Sequence, residues 1–217
     1  VDEIRRAASS ERVDGLLADL SVIAHVRRVA DDFARAHDRL DVLVNNVGAV
    51  FLRREETAEG IEMTLALNHL GAFALTDRLL PMLRDAPSAR VVNVSSAAHR
   101  FGQIAFADLE RRRRYNGWLA YGQSKLANLL FTYELARRLH GTAVTANALH
   151  PGVVATGFGL NNRVFPWSVL LRLSRPLSMR PGVGARTSIY LASSPDVEGV
   201  SGRYFVRCAT ACSSPAS

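Results

Sequence analysis

Apolar residues recur along this chain in two alternating rhythms. Short apolar runs at residues 13–20, 41–47, 90–94, 143–149 and 202–206 read as strands. Between them lie longer stretches with helical spacing: residues 22–37 carry Val22, Val26, Val29 and Phe33 on one face, and 57–83, 118–139 and 183–192 read as further helices. The run at 41–47 lacks polar alternation, which predicts a strand covered on both faces. Strands separated by helices of this length need right-handed crossovers, so the expected architecture is α/β, a doubly wound parallel sheet of Rossmann-like form. Ligands then belong beyond the carboxyl ends of the strands. Residues 151–181 are loop-rich, and no repeat, low-complexity segment or linker divides the chain.

Composition narrows this picture. A chain of 217 residues with 48% apolar content can bury one substantial core, so residues 1–217 are expected to form a single domain. The longest apolar stretches, such as 164–171, are short and broken by Pro166 or ended by Arg172, and none is long enough to span a membrane. The first residues read as a helix already under way, and no signal peptide is expected from them. Two cysteines, Cys208 and Cys212, make neither a disulfide framework nor a four-ligand metal site, and the chain reads as reduced and cytoplasmic. The formal charge of +7 and the run Arg111–Arg114 invite a nucleic-acid reading. Scattered arginines without interleaved aromatic residues argue for a solvated surface instead. One detail of the charge count carries more weight: among 27 basic residues, Lys125 is the single lysine. A chain that uses arginine everywhere else needs an ammonium at that position for its shape and tunability.

Lys125 closes the sequence Tyr121-Gly-Gln-Ser-Lys125 on the expected helix 118–139, and four-residue spacing sets phenol and ammonium a turn apart on one face. A phenol titrates near pH 10 in water, and a cation within about 4–6 Å lowers such a pKa by roughly 1–3 units. An ordinary amphipathic helix shows the same pair by chance, so three further segments matter. Arg90-Val-Val-Asn-Val-Ser-Ser96 is a strand ending in two hydroxyls, which places Ser95 or Ser96 at the ligand rim, unless the pair serves only the turn. Asn68 interrupts the apolar helical stretch Leu65-Ala-Leu-Asn-His-Leu70, and a buried amide there must be hydrogen-bonded, to a backbone partner or within a site. Asp41-Val-Leu-Val-Asn-Asn-Val-Gly48 ends a strand in two asparagines and a glycine, suited to close backbone approach to a flat ligand or to a plain polar turn.

In this order, these four segments resemble the short-chain dehydrogenase/reductase family and its Asn-Asn-Ala-Gly, Asn-helix, Ser-Ser and Tyr-x-x-x-Lys motifs. His150-Pro-Gly-Val-Val-Ala-Thr156 is similar to the family's Pro-Gly loop beside the nicotinamide. The wording of residues 68–73, 121–131, 148–152 and 201–205 is nearest the retinol-dehydrogenase-like branch. The resemblance implies an oxidoreductase that moves hydride between a nicotinamide cofactor, NADP or NAD with the branch leaning to NADP, and a carbonyl or alcohol carbon of a small apolar substrate. It implies a catalytic set of Asn68, Ser96, Tyr121 and Lys125. Tyr121 would be the general acid or base, and Ser96 would hold the substrate oxygen. Lys125 would bind the nicotinamide ribose and lower the Tyr121 pKa, while Asn68 would support a proton-relay water. Asp19 and Leu20 match positions that cap the adenine. Asn45, Val47, Gly48, Pro151, Gly152, Val154 and Thr156 would line the rest of the cofactor with Tyr121 and Lys125, although Val47 stands where the family usually has alanine. A homo-oligomer is a further expectation.

The chain departs from the family at its start. No Thr-Gly-x-x-x-Gly-x-Gly turn precedes residue 13, and Gly182-Val-Gly184 and Gly157-Phe-Gly159 lack the strand–turn–helix context that would replace it. By resemblance, the first two strands and the first helix are lacking, and a final helix is cut short. The chain reads as incomplete at both ends, with doubtful activity and cofactor binding when expressed alone. A non-catalytic nucleotide-binding module of the same fold is the alternative reading. The segment 158–177, with Phe165, Trp167, Val169, Leu170 and Leu171, reads as a mobile lid or as a short packed helix.

Overall fold

A computed structural model describes residues 1–154, 159, 162 and 179–214 of the chain. Helix α1 (Asp2–Ala8) and α2 (Ile23–Ala36) precede strand β1 (Val42–Asn45). A short α-turn, α3 (Met63–Leu65), runs through a π-helical turn (Ala66–Leu70) into α4 (Gly71–Asp85). Then come β2 (Ala89–Val94), a 3-10 turn (Ala97–Phe101), α5 (Gly117–Arg138) and β3 (Val144–His150). After α6 (Pro181–Ser193) and a 3-10 turn (Pro195–Val197), β4 (Tyr204–Val206) and β5 (Ala209–Thr210) close the fold.

The sheet has the order β1-β2-β3-β4-β5, parallel through β4 and antiparallel at β5. Register pairs Leu43 with Val91, Val91 with Ala146, and Leu149 with Phe205. Side chains alternate across the sheet, so β2 presents Val91 to one face and Val92 and Val94 to the other. The first face buries Val91, Leu43, Val144 and Ala146 against Ala30 of α2, Leu79 and Leu83 of α4, and Leu135 of α5. The second packs Val92, Val94, Leu149 and Phe205 against Leu191 of α6 and Val197. Helices therefore cover both faces, as the hydrophobic rhythm predicts.

Three expectations change here. Residues 13–20 form no strand: the segment has no ladder partner among the described residues, and Leu17 is 94% exposed. A strand's backbone groups need a neighbour to bond, and an apolar run alone does not supply one. β1 is not covered on both faces either; Leu43 and Asn45 are buried while Val44 is 39% exposed. The helix read over 57–83 begins later, at Met63. Gly60 (φ +76°) turns the chain first, and the buried Glu62 carboxylate then caps α3 by accepting from the Thr64 and Leu65 amides at 2.8 and 2.7 Å. The segment 158–177, apart from Gly159 and Asn162, lies outside the described residues.

Candidate active site

Helix α5 organises the site. Asn116 caps it by accepting from the Trp118 and Leu119 amides at 3.0 and 3.1 Å, and Tyr121, Ser124, Lys125 and Asn128 are all buried along it, Lys125 reaching the carboxyl end of β2. Tyr121 is 7% exposed and shares a hydrogen bond with Ser96, which lies two residues beyond β2 and caps the 3-10 turn. Burial raises the phenol's pKa, and the Ser96 bond pulls it back. Ser95 faces elsewhere, donating its hydroxyl to the Lys125 carbonyl at 2.8 Å. Between the two hydroxyls, Ser96 is the one brought to the phenol.

Lys125 is 2% exposed. Its Nζ donates to the Val94 carbonyl at 3.0 Å and lies 5.8 Å from the centroid of the Tyr121 ring. It therefore sits over the ring and makes no hydrogen bond to the phenolic oxygen. Burial without a counter-ion lowers its pKa to about 8. Ser96 is the neighbour that pulls the Tyr121 phenol down against its burial.

Gly48 lies against this ammonium. A Cβ on Gly48 would stand 2.8 Å from Lys125 Nζ and 3.5 Å from Asn68 Oδ1. Asn68 is 1% exposed, and its amide is committed: Oδ1 accepts from the Ala49 N–H at 2.9 Å, and Nδ2 donates to the Ala49 carbonyl at 2.9 Å and to Ser124 Oγ at 3.0 Å. Its own carbonyl, within the π-helical turn, accepts from Asn128 Nδ2 at 2.9 Å, and Asn128 Oδ1 faces His69 Nδ1 at 3.0 Å. Both N–H donors of Asn68 are thus used in pinning the 48–50 loop to α5, so the side chain offers no donor to a relay water.

The remaining cofactor candidates divide. Asn45 is buried, its Nδ2 donating to Thr76 Oγ1 at 2.9 Å and Asn93 Oδ1 at 2.8 Å, which ties β1 to α4 and β2. Val47 is 46% exposed. Asp19 accepts from the Ser21 amide and hydroxyl at 2.9 and 2.7 Å, which holds its carboxyl below the usual range. The Leu20 carbonyl is 2.4 Å from where a Cβ of Gly71 would be, so α4 and this segment meet only through a glycine. Pro151 and Gly152 follow β3, Gly152 in the left-handed region (φ +89°), and Val154 bridges to Met179. Thr156 lies outside the described residues.

A nicotinamide nucleoside fits part of this arrangement. Lys125 makes one hydrogen bond among the described residues, which leaves two ammonium protons for hydroxyl acceptors beside Gly48, where the absence of a side chain leaves room for Nζ. The pyrophosphate is less well served. The first amides of α2, Ile23 and Ala24, already donate to the Glu59 carboxylate at 2.8 and 3.2 Å. Sequence reasoning missed Ser124 and Asn128, which fix Asn68 to α5. Their signal was their spacing, three and seven residues after Tyr121 on the same helical face.

A parallel sheet wrapped by helices thus gathers Ser96, Tyr121, Lys125 and Asn68 in one region. The family model for short chain dehydrogenases matches residues 1–164, and the chain belongs to this family. Among curated relatives, it is 45% identical to retinol dehydrogenase 14 of Mus musculus over 213 residues, covering 93% of this chain and 62% of that protein. It is 48% identical to the Homo sapiens retinol dehydrogenase 14 over 193 residues, covering 88% and 57%. The chain thus spans about three fifths of the length of these relatives. Among solved structures, it resembles an uncharacterised protein from Mycobacterium paratuberculosis (38% identity, TM-score 0.68, 94% of this chain and 66% of that one). It also resembles the Pseudomonas aeruginosa RhlG/NADP active-site complex (27% identity, TM-score 0.68, 94% and 78%). No described helix is long and apolar enough to cross a membrane.

Proposed function

We propose that this chain carries the catalytic centre of an oxidoreductase that transfers hydride between a nicotinamide cofactor and a carbonyl or alcohol carbon, with residues 1–217 acting as one domain. The observation that carries the reading is the contact of Ser96 with the Tyr121 phenol beside a buried ammonium under Gly48. Bound nicotinamide supplies the hydride for reduction or accepts it in oxidation. Tyr121 gives its phenolic proton to the carbonyl oxygen in reduction and takes the hydroxyl proton in oxidation. Ser96 holds that oxygen in line with the phenol. Lys125 donates to the ribose hydroxyls. Asn68 acts as a positioning residue, tying the 48–50 loop to α5 through Ala49 and Ser124. NADP is the preferred cofactor; the branch resemblance and the NADP complex of a structural neighbour support it. The relatives' names support a small apolar aldehyde or alcohol as substrate.

The test is reduction of a panel of apolar aldehydes with NADPH and NADH by the chain and by Tyr121→Phe. Removing only the phenolic oxygen is expected to lower kcat by about 10²–10⁴-fold, the usual worth of a positioned acid–base group, while NADPH affinity stays within about threefold. Turnover by the phenylalanine variant close to the parent's removes Tyr121 from the role. Nucleotide binding without turnover in the parent favours the non-catalytic module.

A further inference from the structure

Two histidines stand behind Ser96, and the mechanism above uses neither. His99 lies in the 3-10 turn and is fully buried. Its Nδ1 is 2.6 Å from the Ser96 carbonyl oxygen. A carbonyl only accepts, so Nδ1 carries the proton and, in the neutral ring, Nε2 is bare. That Nε2 is buried with no hydrogen-bond partner. The ring stands edge-on to Tyr204 of β4, with centroids 5.0 Å apart and planes at 74°.

His150, the last residue of β3, has the opposite tautomer. Its Nδ1 receives two backbone N–H groups, from Ala97 at 3.3 Å and from Gly152 at 3.4 Å. Both of these donate, so Nδ1 must be bare and Nε2 must carry the proton. Ala97 directly follows Ser96, and Gly152 belongs to the loop expected to flank the nicotinamide. A single ring nitrogen therefore joins the turn that carries the serine to the loop that follows β3.

We infer that His150 is a positioning residue that holds the Ser96 turn against the Pro151–Gly152 loop, and that it does so only as the neutral imidazole. The inference rests on the reading of Ser96 and Tyr121 given above and deepens it. Protonating His99 leaves its Nδ1–H bond to Ser96 intact. Protonating His150 sets a third N–H against the two that converge on it, and the clamp opens. The charged and titratable groups facing the pair are Arg100 on the same 3-10 turn, Tyr204 on β4 and, beyond it, Tyr133 on α5. Arg100 is anchored by donating to the Cys212 carbonyl at 3.2 Å. Burial first, then His99 and Arg100, hold the His150 pKa below its ordinary 6.5. The clamp is closed at neutral and alkaline pH and opens as the medium becomes acid.

The wild-type chain can be titrated by NMR with labelled histidine rings and backbone amides. The expected result is an Nε2–H tautomer for His150 at neutral pH, with the Ala97 and Gly152 amide resonances moving together at the His150 midpoint, below 6.5. In His150→Asn, whose side-chain oxygen accepts at every pH, neither amide follows that titration. An Nδ1–H tautomer, or amides indifferent to the ring's protonation, overturns the clamp. Turnover of a test aldehyde with NADPH reads the consequence for Ser96. Wild-type kcat should fall on the acid side at the same midpoint, and His150→Asn should lose that limb. His150→Ala should lose about tenfold or more in kcat at neutral pH with little change in the KM for NADPH, as displacement of a catalytic group does. An acid limb that persists unchanged in His150→Asn overturns the positioning role. A chain with no turnover in any form refutes the Tyr121 reading, while the amide titration still decides the clamp.

Discussion

Gly48 shows how much a single missing methyl group can settle. A Cβ there would approach Lys125 Nζ to 2.8 Å, but the crowded atom is the far end of a flexible chain rather than backbone. Gly48→Ala should therefore displace the ammonium from its 3.0 Å bond with the Val94 carbonyl more readily than it deforms the fold. Stability should change by only about 1 kcal/mol, at the mild end of overpacking. NADPH affinity should fall by about tenfold, the worth of roughly one lost hydrogen bond. Thermal melting and NADPH titration on the same sample separate the two effects. Unaltered affinity would show that the position of Nζ beside residue 48 does not matter to the cofactor.

At the scale of elements, α5 is the rod on which the site hangs, and its start is set by Asn116. Asn116→Ala leaves the Trp118 and Leu119 amides without their acceptor and should cost about 1 kcal/mol in denaturant unfolding, while Asn116→Asp should restore the cap. The helices and the parallel strands at 41–47, 90–94, 143–149 and 202–206 were legible because burial on a sheet face or helix stripe leaves a period in the sequence. Tyr121, Lys125 and Asn68 were legible for a different reason: each departs from what its neighbours require. The false strand at 13–20 shows the limit, since local apolarity says nothing about whether a ladder partner stands alongside. The structural partners of Asn45, Thr76 and Asn93, lie 31 and 48 residues away in the chain, so no local pattern announces them. The π-helical turn at Ala66–Leu70 was likewise invisible. Its freed Asn68 carbonyl is met by an asparagine from another helix, a tertiary fact that no local pattern encodes.

For the whole molecule, one buried charge sets how stability responds to alkali. Lys125 titrates near 10.5 when unfolded and at about 8 when folded. Below about 8 both states are protonated and the fold carries the full cost of burying the charge. Between those values the folded state releases its proton first, so stability rises with pH across that window. The rise amounts to about 3 kcal/mol, at 1.36 kcal/mol per unit. Lys125→Met should be the more stable protein at neutral pH, with an advantage that shrinks between pH 8 and 9.5; denaturant melts at several pH values would show it. Above about 10 the buried phenols of Tyr121 and Tyr204, whose pKa values are raised, act in the opposite direction. The same lysine makes the molecule chemically addressable. An amine-directed reagent finds two kinds of target in this sequence, the α-amine and Lys125, and the second is sealed at 2% exposure. Acylation at Lys125 therefore proceeds only as fast as the site breathes open. Mass spectrometry of that one label would be a clock for opening, and it should run slower when NADPH is bound.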